Sequence, residues 1–466
     1  MLGRMELTLC GAAGEVTGSC HHLRVGGHQV LLDCGLYQGS REDELRNAVG
    51  FPFDPRAIDA VLLSHAHLDH CGRLPMLVRG GFRGPILSHP ASLDLVRILL
   101  RDAAHLQQAD NERENRRRAR RGEQPRKPLF ELADVERVFD RLQPVEFGQA
   151  TGVVPGIDLT LHRAGHILGA ASLALDLAEG GRRRRLVYSG DIGPDGSGLL
   201  PDPEPPGSAD LVLMESTYGD RNHRSRQATL DEIEEVLDLA WQAGGNLLVP
   251  SFAIGRAQEL MALFAANFER WRLDRWQIFL DSPMAIEATR VHDRHFELFS
   301  DAARKLVGQR ELHALLPNLH RTQRPEQSMK INAVKRGALV IAGSGMCSGG
   351  RILHHLRHNL WRRECHVMII GYQSAGTLGR KLVDGSQFVR IYGEDIRVAA
   401  TVHTIGGLSA HAGQDDLLAW YQAIAGRPPV HLVHGEERGR EGLATCLRER
   451  LGVEAGLPGY GDRLAL

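Results

Sequence analysis

Short apolar runs that each end in a small polar loop recur along the chain: "AVLLSHAH", "RLVYSGDIG", "LVLMESTYG", "NLLVPSFAIG", "IFLDSPM", "ALVIAGSGM", "VMIIGYQ" and "VHLVHGEE". Continuous runs of this length, rich in Val, Ile and Leu, predict buried strands. Longer segments with a one-sided apolar pattern lie between several of them, among them "RQATLDEIEEVLDLAWQA" and "AQELMALFAANFERW". These predict amphipathic helices, and the alternation predicts an α/β architecture. The beginning differs: "MELTLCGAAGEVTGSCHHLRVGGHQVLLDCG" joins short strands by Gly-rich turns and predicts an antiparallel meander. In α/β sheets chemistry collects at the carboxyl ends of strands, which is where the polar loops fall.

A chain of 466 residues exceeds one ordinary core, so two or three domains are expected. "PDPEPPG" (201–207) is a rigid, polar candidate boundary. The charge run "ERENRRRARRGEQPRKP" (112–128) reads as an exposed helix end or a mobile loop, and the arginines at 182–185 as a hairpin tip. Charge is balanced, 56 Lys plus Arg against 57 Asp plus Glu, which excludes a globally basic binder but leaves room for a local patch. No stretch of about 18 uncharged apolar residues occurs, so no membrane-spanning helix is expected. The opening residues lack an apolar core with a cleavage site, so no leader is expected either. Seven Cys, scattered and without a CxxC pair, predict reduced thiols in a cytoplasmic setting.

"VLLSHAHLDHC" packs His65, His67, Asp69 and His70 into six consecutive positions behind a buried run. Without thiolates, zinc takes imidazole nitrogen and carboxylate oxygen. A turn leaving a strand aims His65 and His67 at one ion, and Asp69 and His70 at a second. A polar loop opening a helix, with Asp69 as its cap, accounts poorly for so dense a cluster. Further donors belong in loops after other strands: His166 in "LHRAGHILGAAS", with His162 a weaker neighbour, Asp191 in "LVYSGDIG", and His434 in "VHLVHGEE". Asp191 could bridge both ions through its two oxygens. Asp33, at the end of "VLLD", is expected behind the ligands, orienting one of them or the His loop.

The ordered set of HxHxDH, the His of "AGHILGA" and the Asp of "SGDIG" resembles the signature of metallo-β-lactamase-fold hydrolases. "LMESTYGD" is similar to motif A of the β-CASP subgroup, "LSAHAGQDDL" to motif B and "HLVHGEE" to motif C; "PSFAIGRAQE" and "GSGMCSGGRI" also resemble segments of that subgroup. The resemblance runs from about residue 10 to 437 without departure at a ligand position. It implies an α/β protein, a metallo-β-lactamase αββα sandwich (1–208 and 404–466) carrying an inserted α/β β-CASP domain (209–403), with the substrate threading between the two. Little chain follows motif C, which fits a compact, bacterial-type member.

The resemblance implies a metal-dependent ribonuclease with two Zn2+ per chain. His65, His67 and His166 would hold one ion, Asp69, His70 and His434 the other, with Asp191 between them. Asp69 would also steer the nucleophile, and His411 of motif B would protonate the leaving 3′-oxygen, held by Glu215 of motif A. His434 at motif C implies RNA rather than DNA, and a narrow path implies single strands, cut internally, from the 5′ end, or both. Arg256, Ser344 and Arg351 are candidate substrate contacts. A homodimer is an expected assembly, and a membrane is not an expected partner. Two rivals are a small-molecule hydrolase on the same fold and a non-catalytic RNA-binding scaffold. The Glu215/His411 pair and the long insertion speak against the first, and the complete ligand set against the second.

Overall fold

A computed structural model describes residues 5–39, 41–374 and 376–466; residues 1–4, part of the stretch read for a leader, lie outside it. The chain divides into two compact units. The first runs to Asp195, resumes over Asp202–Asn222 and closes with His411–Leu466; the second comprises Gly196–Pro201 and His223–Ala410.

The first unit holds two seven-stranded sheets. One has the order Arg463–Ala465, Glu6–Leu9, His21–Val25, His28–Leu32, Ala60–Leu62, Ile86–Ser88, Leu142–Pro144. Its first strands pair antiparallel, as the Gly-rich turns predict, and pairing becomes parallel from His28–Leu32 onward. The other has the order Ala455–Gly456, Val430–Val433, Leu211–Glu215, Arg182–Tyr188, Ala171–Glu179, Ile157–Arg163, Thr151–Val154. A single apolar layer joins them, with Leu7, Leu23, Val30 and Leu62 from one sheet against Leu159, Leu173, Leu186 and Leu213 from the other. The helices Gln414–Gln422 and Glu437–Leu451 cover the outer face of the second sheet, setting Leu417, Tyr421, Leu443 and Leu447 against Val187, Val212 and Met214. Beside the first sheet, the helices Leu74–Arg79, Pro90–Arg120 and Leu132–Phe139 pack together through residues such as Leu77, Val96 and Val135. The result is the expected αββα sandwich.

The second unit is built on a six-stranded, wholly parallel sheet, ordered Leu319–Arg321, Gln277–Leu280, Ala338–Ala342, Leu247–Pro250, His366–Ile369, Thr401–Thr404. The two predicted amphipathic helices are here, as Arg226–Ala243 and Arg256–Ala266. Ser225 caps the first by accepting from the Ala228 amide, and Gly244 ends it at φ 77°.

Three local expectations shift. The strand Leu211–Glu215, placed with the insertion by a boundary at 209, pairs with Arg182–Tyr188 and Val430–Val433 and so lies in the first unit. Residues 404–410, placed with the sandwich by a boundary at 403, follow the strand Thr401–Thr404 and stay in the second unit. At 182–185, Gly180 and Gly181 form the tip with φ of 56° and 82°, and the arginines begin the outgoing strand. All seven cysteines are buried and unpaired. Among the described residues, no helix is long and apolar enough to cross a membrane.

Candidate metal centre

The strand Ala60–Leu62 ends in a short loop and then the helix Leu68–Cys71, whose N-cap position is His67 rather than Asp69. Backbone hydrogen bonds pin this turn: Ser19 N–H donates to the Asp69 carbonyl (2.8 Å), Cys34 N–H to that of His70 (2.7 Å) and Leu36 N–H to that of Leu68 (2.8 Å). Gly35 makes the approach possible, since a Cβ there would lie 1.5 Å from the Asp69 oxygen. Gly193 does the same between the loops of Asp191 and His166, where a Cβ would meet the Gly165 oxygen at 2.1 Å.

These loops bring all seven expected donors together in the first unit. His65, His67, His166 and Asp191 form one compact group and Asp69, His70 and His434 another, with Asp191 also close to His434 and His411. His67 Nδ1 lies 3.2 Å from His65 Nε2 and 3.1 Å from His166 Nε2. Asp191 Oδ2 lies 3.4 Å from His65 Nε2 and 3.5 Å from His166 Nε2. A tetrahedral ion with donors about 2.0–2.1 Å away sets donor–donor spacings of about 3.3 Å, so this group fits one. The other Asp191 oxygen faces elsewhere: Oδ1 is 3.3 Å from His70 Nε2 and 3.5 Å from His434 Nε2, and His434 Nε2 is 3.5 Å from Asp69 Oδ2. Among the described residues, Asp191 Oδ1 and His434 Nε2 find no hydrogen-bond partner although both are buried. Groups of that kind are costly unless something else satisfies them, and a cation would.

Supporting side chains hold the rings. Asp33, fully buried, accepts from His70 Nδ1 (2.7 Å), Tyr188 Oη (2.8 Å), Ser64 Oγ (2.7 Å) and the Ser64 amide (2.7 Å). The His70 Nε2 atom is thereby left facing Asp191. Glu215, also fully buried, accepts from the Ile192 amide (2.6 Å) and lies 3.2 and 3.3 Å from His411 Nδ1. Thr217 Oγ1 contacts His434 Nδ1 at 3.0 Å. The sequence reading anticipated Asp33 and Glu215 but not Ser64, Tyr188 or Thr217; ordinary polar residues carry no spacing signal, and only the fold brings them here.

Burial and charge set the protonation states. Burial, reinforced by the neighbouring His70, holds His65 well below the ordinary imidazole range. Burial takes His67 down to about 4 despite Asp69 and Asp191. Both rings are therefore neutral, as ligands must be. Asp191 is buried, which favours its neutral form, yet the imidazoles packed around it pull its carboxyl well below the usual carboxylate range. His411 behaves oppositely to His65: burial disfavours its cation, but Glu215, by charge and hydrogen bond, together with Asp191 and Asp69, pushes it up to about 9. The side chains of His65, His70, His166, Asp191 and Glu215 are almost wholly enclosed, whereas Asp69 and His411 keep 17% and 21% exposure. His67 is half-buried as well, so these three are the cluster's open side chains.

Other candidates do not join this cluster. His162 lies in the strand Ile157–Arg163 opposite Ser172. Arg256, Ser344 and Arg351 belong to the second unit. Arg256 is buried and paired with Glu259. Arg351 donates to Asp281 Oδ1 and to the carbonyls of Thr322 and Gln323, each at 2.7 Å. Ser344 Oγ accepts from the amides of Ser348 (3.0 Å) and Gly349 (3.2 Å). Asp281, which sequence reading passed over, is the fully buried hub there, also accepting from Thr322, Ser328 and His355.

Residues 22–189 match the metallo-β-lactamase superfamily domain, 257–382 the Beta-Casp domain, and 395–458 the domain described as a Zn-dependent metallo-hydrolase RNA specificity domain. The chain belongs to the β-CASP family of metallo-β-lactamase-fold hydrolases. It is 41% identical to Ribonuclease TTHA0252 of Thermus thermophilus over 98% of this chain and 99% of that protein. It is 30% identical to Transcription termination factor FttA of Methanocaldococcus jannaschii over 93% of this chain and 67% of that one. The fold also matches, at a TM-score of 0.56 and 15% identity over the full length of both chains, a crystal structure of a protein of unknown function from Enterococcus faecalis.

Proposed function

We propose that this protein is a two-zinc ribonuclease that hydrolyses phosphodiester bonds of single-stranded RNA, internally, from the 5′ end, or both. The observation that carries the two-ion reading is the division of Asp191: its Oδ2 faces His65 and His166, and its Oδ1 faces His70 and His434. His65, His67 and His166 would hold one zinc, Asp69, His70 and His434 the second, and Asp191 both. When bound, paired metals polarise the scissile phosphate and make a water-derived nucleophile available at neutral pH.

The protein's own residues supply the rest. Asp69 is partly exposed beside His434 and orients the attacking group. His411 carries the proton for the leaving 3′-oxygen. Its Nδ1 faces Glu215, so Nε2 is the atom that delivers it. Glu215, fixed by the Ile192 amide, keeps that ring charged and aimed. Asp33 fixes the His70 tautomer by accepting from Nδ1. The relative named a ribonuclease and the match to an RNA specificity domain support RNA as the polymer cut. Seven buried, unpaired thiols support a reducing, cytoplasmic setting.

The test is cleavage of 5′-phosphorylated single-stranded RNA and its DNA counterpart by the wild type and His411→Ala. RNA is expected to be cut by the wild type and barely by the variant. If the wild type leaves RNA intact, or the variant matches it, this reading fails.

A further inference from the structure

The charge run at 112–128 plays no part in the metal centre. The helix Pro90–Arg120 has 31 residues, about 46 Å at 1.5 Å per residue. Its first half is anchored through Leu95, Val96, Leu99, Leu100 and Ala104, but no residue from His105 to Lys127 is buried. About 24 Å of helix therefore continues with no apolar face to hold it. Like charges recur one turn apart, at Arg113/Arg117, Arg116/Arg120 and Arg117/Arg121, which disfavours an isolated helix.

The chain beyond it is nonetheless ordered. It turns at Gly122 (φ 71°) and runs back along the helix. Asn115 latches it twice, Nδ2 donating to the Arg126 carbonyl and Oδ1 accepting from the Arg126 amide, both at 2.8 Å, and Arg118 Nε donates to the Gln124 carbonyl at 2.7 Å. Residues 112–128 hold eight basic and three acidic residues in a chain whose net charge is −1. Glu114 and Glu123 are taken up by Arg117, Arg118 and Arg121. Among the described residues, Arg116, Arg120, Arg126 and Lys127 form no ion pair.

We propose that this latched arm binds the phosphodiester backbone of single-stranded RNA at a distance from the bond being cut. A polyanion turns the self-repulsion of the arm into attraction, and released counterions drive the association. The helix starts beside the loop of His166, where Ser92 lies against Gly169, so the arm leads away from the metal centre. The claim rests on RNA being the substrate, and its test separates the two. Arg116, Arg120, Arg126 and Lys127 are replaced together by Gln, and binding of a long single-stranded RNA is measured in the His411→Ala background over a salt series. Each lost phosphate contact lowers the slope of log K against log salt by about 0.7, so the four changes should lower it by about 2–3. In otherwise wild-type protein the KM for long RNA should rise about tenfold with kcat unchanged, and cleavage of an oligonucleotide shorter than the arm should be unaffected. Arg→Lys changes at the three arginines should preserve the slope, because backbone binding needs charge and not the guanidinium fork. An unchanged slope and KM in the Gln variant would overturn the proposal while leaving RNA cleavage standing, and would point to an acidic protein as the arm's partner.

Discussion

Thr217 Oγ1 lies 3.0 Å from His434 Nδ1 and 3.1 Å from the His434 carbonyl oxygen. A hydroxyl has one proton. Donated to the carbonyl, it leaves the oxygen to accept from Nδ1–H, so the lone pair of the ring sits on Nε2, facing Asp69 and Asp191. Thr217→Val should weaken the second cation about 10–100-fold, and Thr217→Ser should hold it as the wild type does. Chelator competition on the purified protein reads this directly. Equal affinities in Val and wild type would show that the hydroxyl does not set the tautomer.

Asp33 is the buried acceptor of four hydrogen bonds that tie His70, Ser64 and Tyr188 to one carboxylate. Asp33→Asn turns one acceptor oxygen into a donor opposite other donors. The expected loss is about 3–5 kcal/mol, measured as a lower denaturant midpoint at unchanged slope. Tyr188→Phe removes a single bond and should cost about 1 kcal/mol.

His411→Ala should lower kcat by about 10²–10⁴ while the metal content stays that of the wild type. Elemental analysis alongside kinetics separates this from site collapse. Loss of metal in the variant would move His411 from proton carrier to ligand, a placement its proximity to Asp191 and His434 also permits.

The pH profile follows from the same residue. The His411 pKa is raised from 6.5 to about 9, so any stability it contributes is fully present below 6.5 and fades as pH rises through about 9. The proton it delivers is available over the same range, so kcat should fall on the alkaline side. Asp191 and Asp69 contribute to the rise, and cations seated on them offset that contribution, which draws the limb below 9. Glu215→Gln removes the foremost charge holding the proton and should shift the limb further toward acid. An alkaline limb that ignores this substitution would exclude His411 as its origin.

Much of the site was legible because its candidate ligands occupy strand ends, and apolar runs announce strands. His65, His67, Asp69 and His70 fall within six consecutive positions, so one turn suffices to join them. The relationships that hold the rings were not legible: Thr217 and His434 are 217 positions apart and meet through the pairing of Leu211–Glu215 with Val430–Val433, and Tyr188 and Asp33 are 155 apart and meet because the two sheets face each other. The segment 209–222 falls on the other side of the boundary because a buried strand flanked by parallel neighbours reads the same in either sheet, and pairing with Val430–Val433 decides it. Arg351 reads as a free cation in a Gly-rich stretch until Asp281, 70 positions away, is seen to hold it. The arm reads equally as loop or helix, since its order depends on the Asn115–Arg126 latch rather than on an apolar stripe.

The central claim is that Asp191 joins two cations. Purified protein, reconstituted with zinc and freed of excess, should carry two equivalents per chain by elemental analysis, and Asp191→Ala should carry at most one and lose RNA cleavage. A wild type that saturates at one zinc, or an Asp191→Ala variant that retains two, would contradict the account.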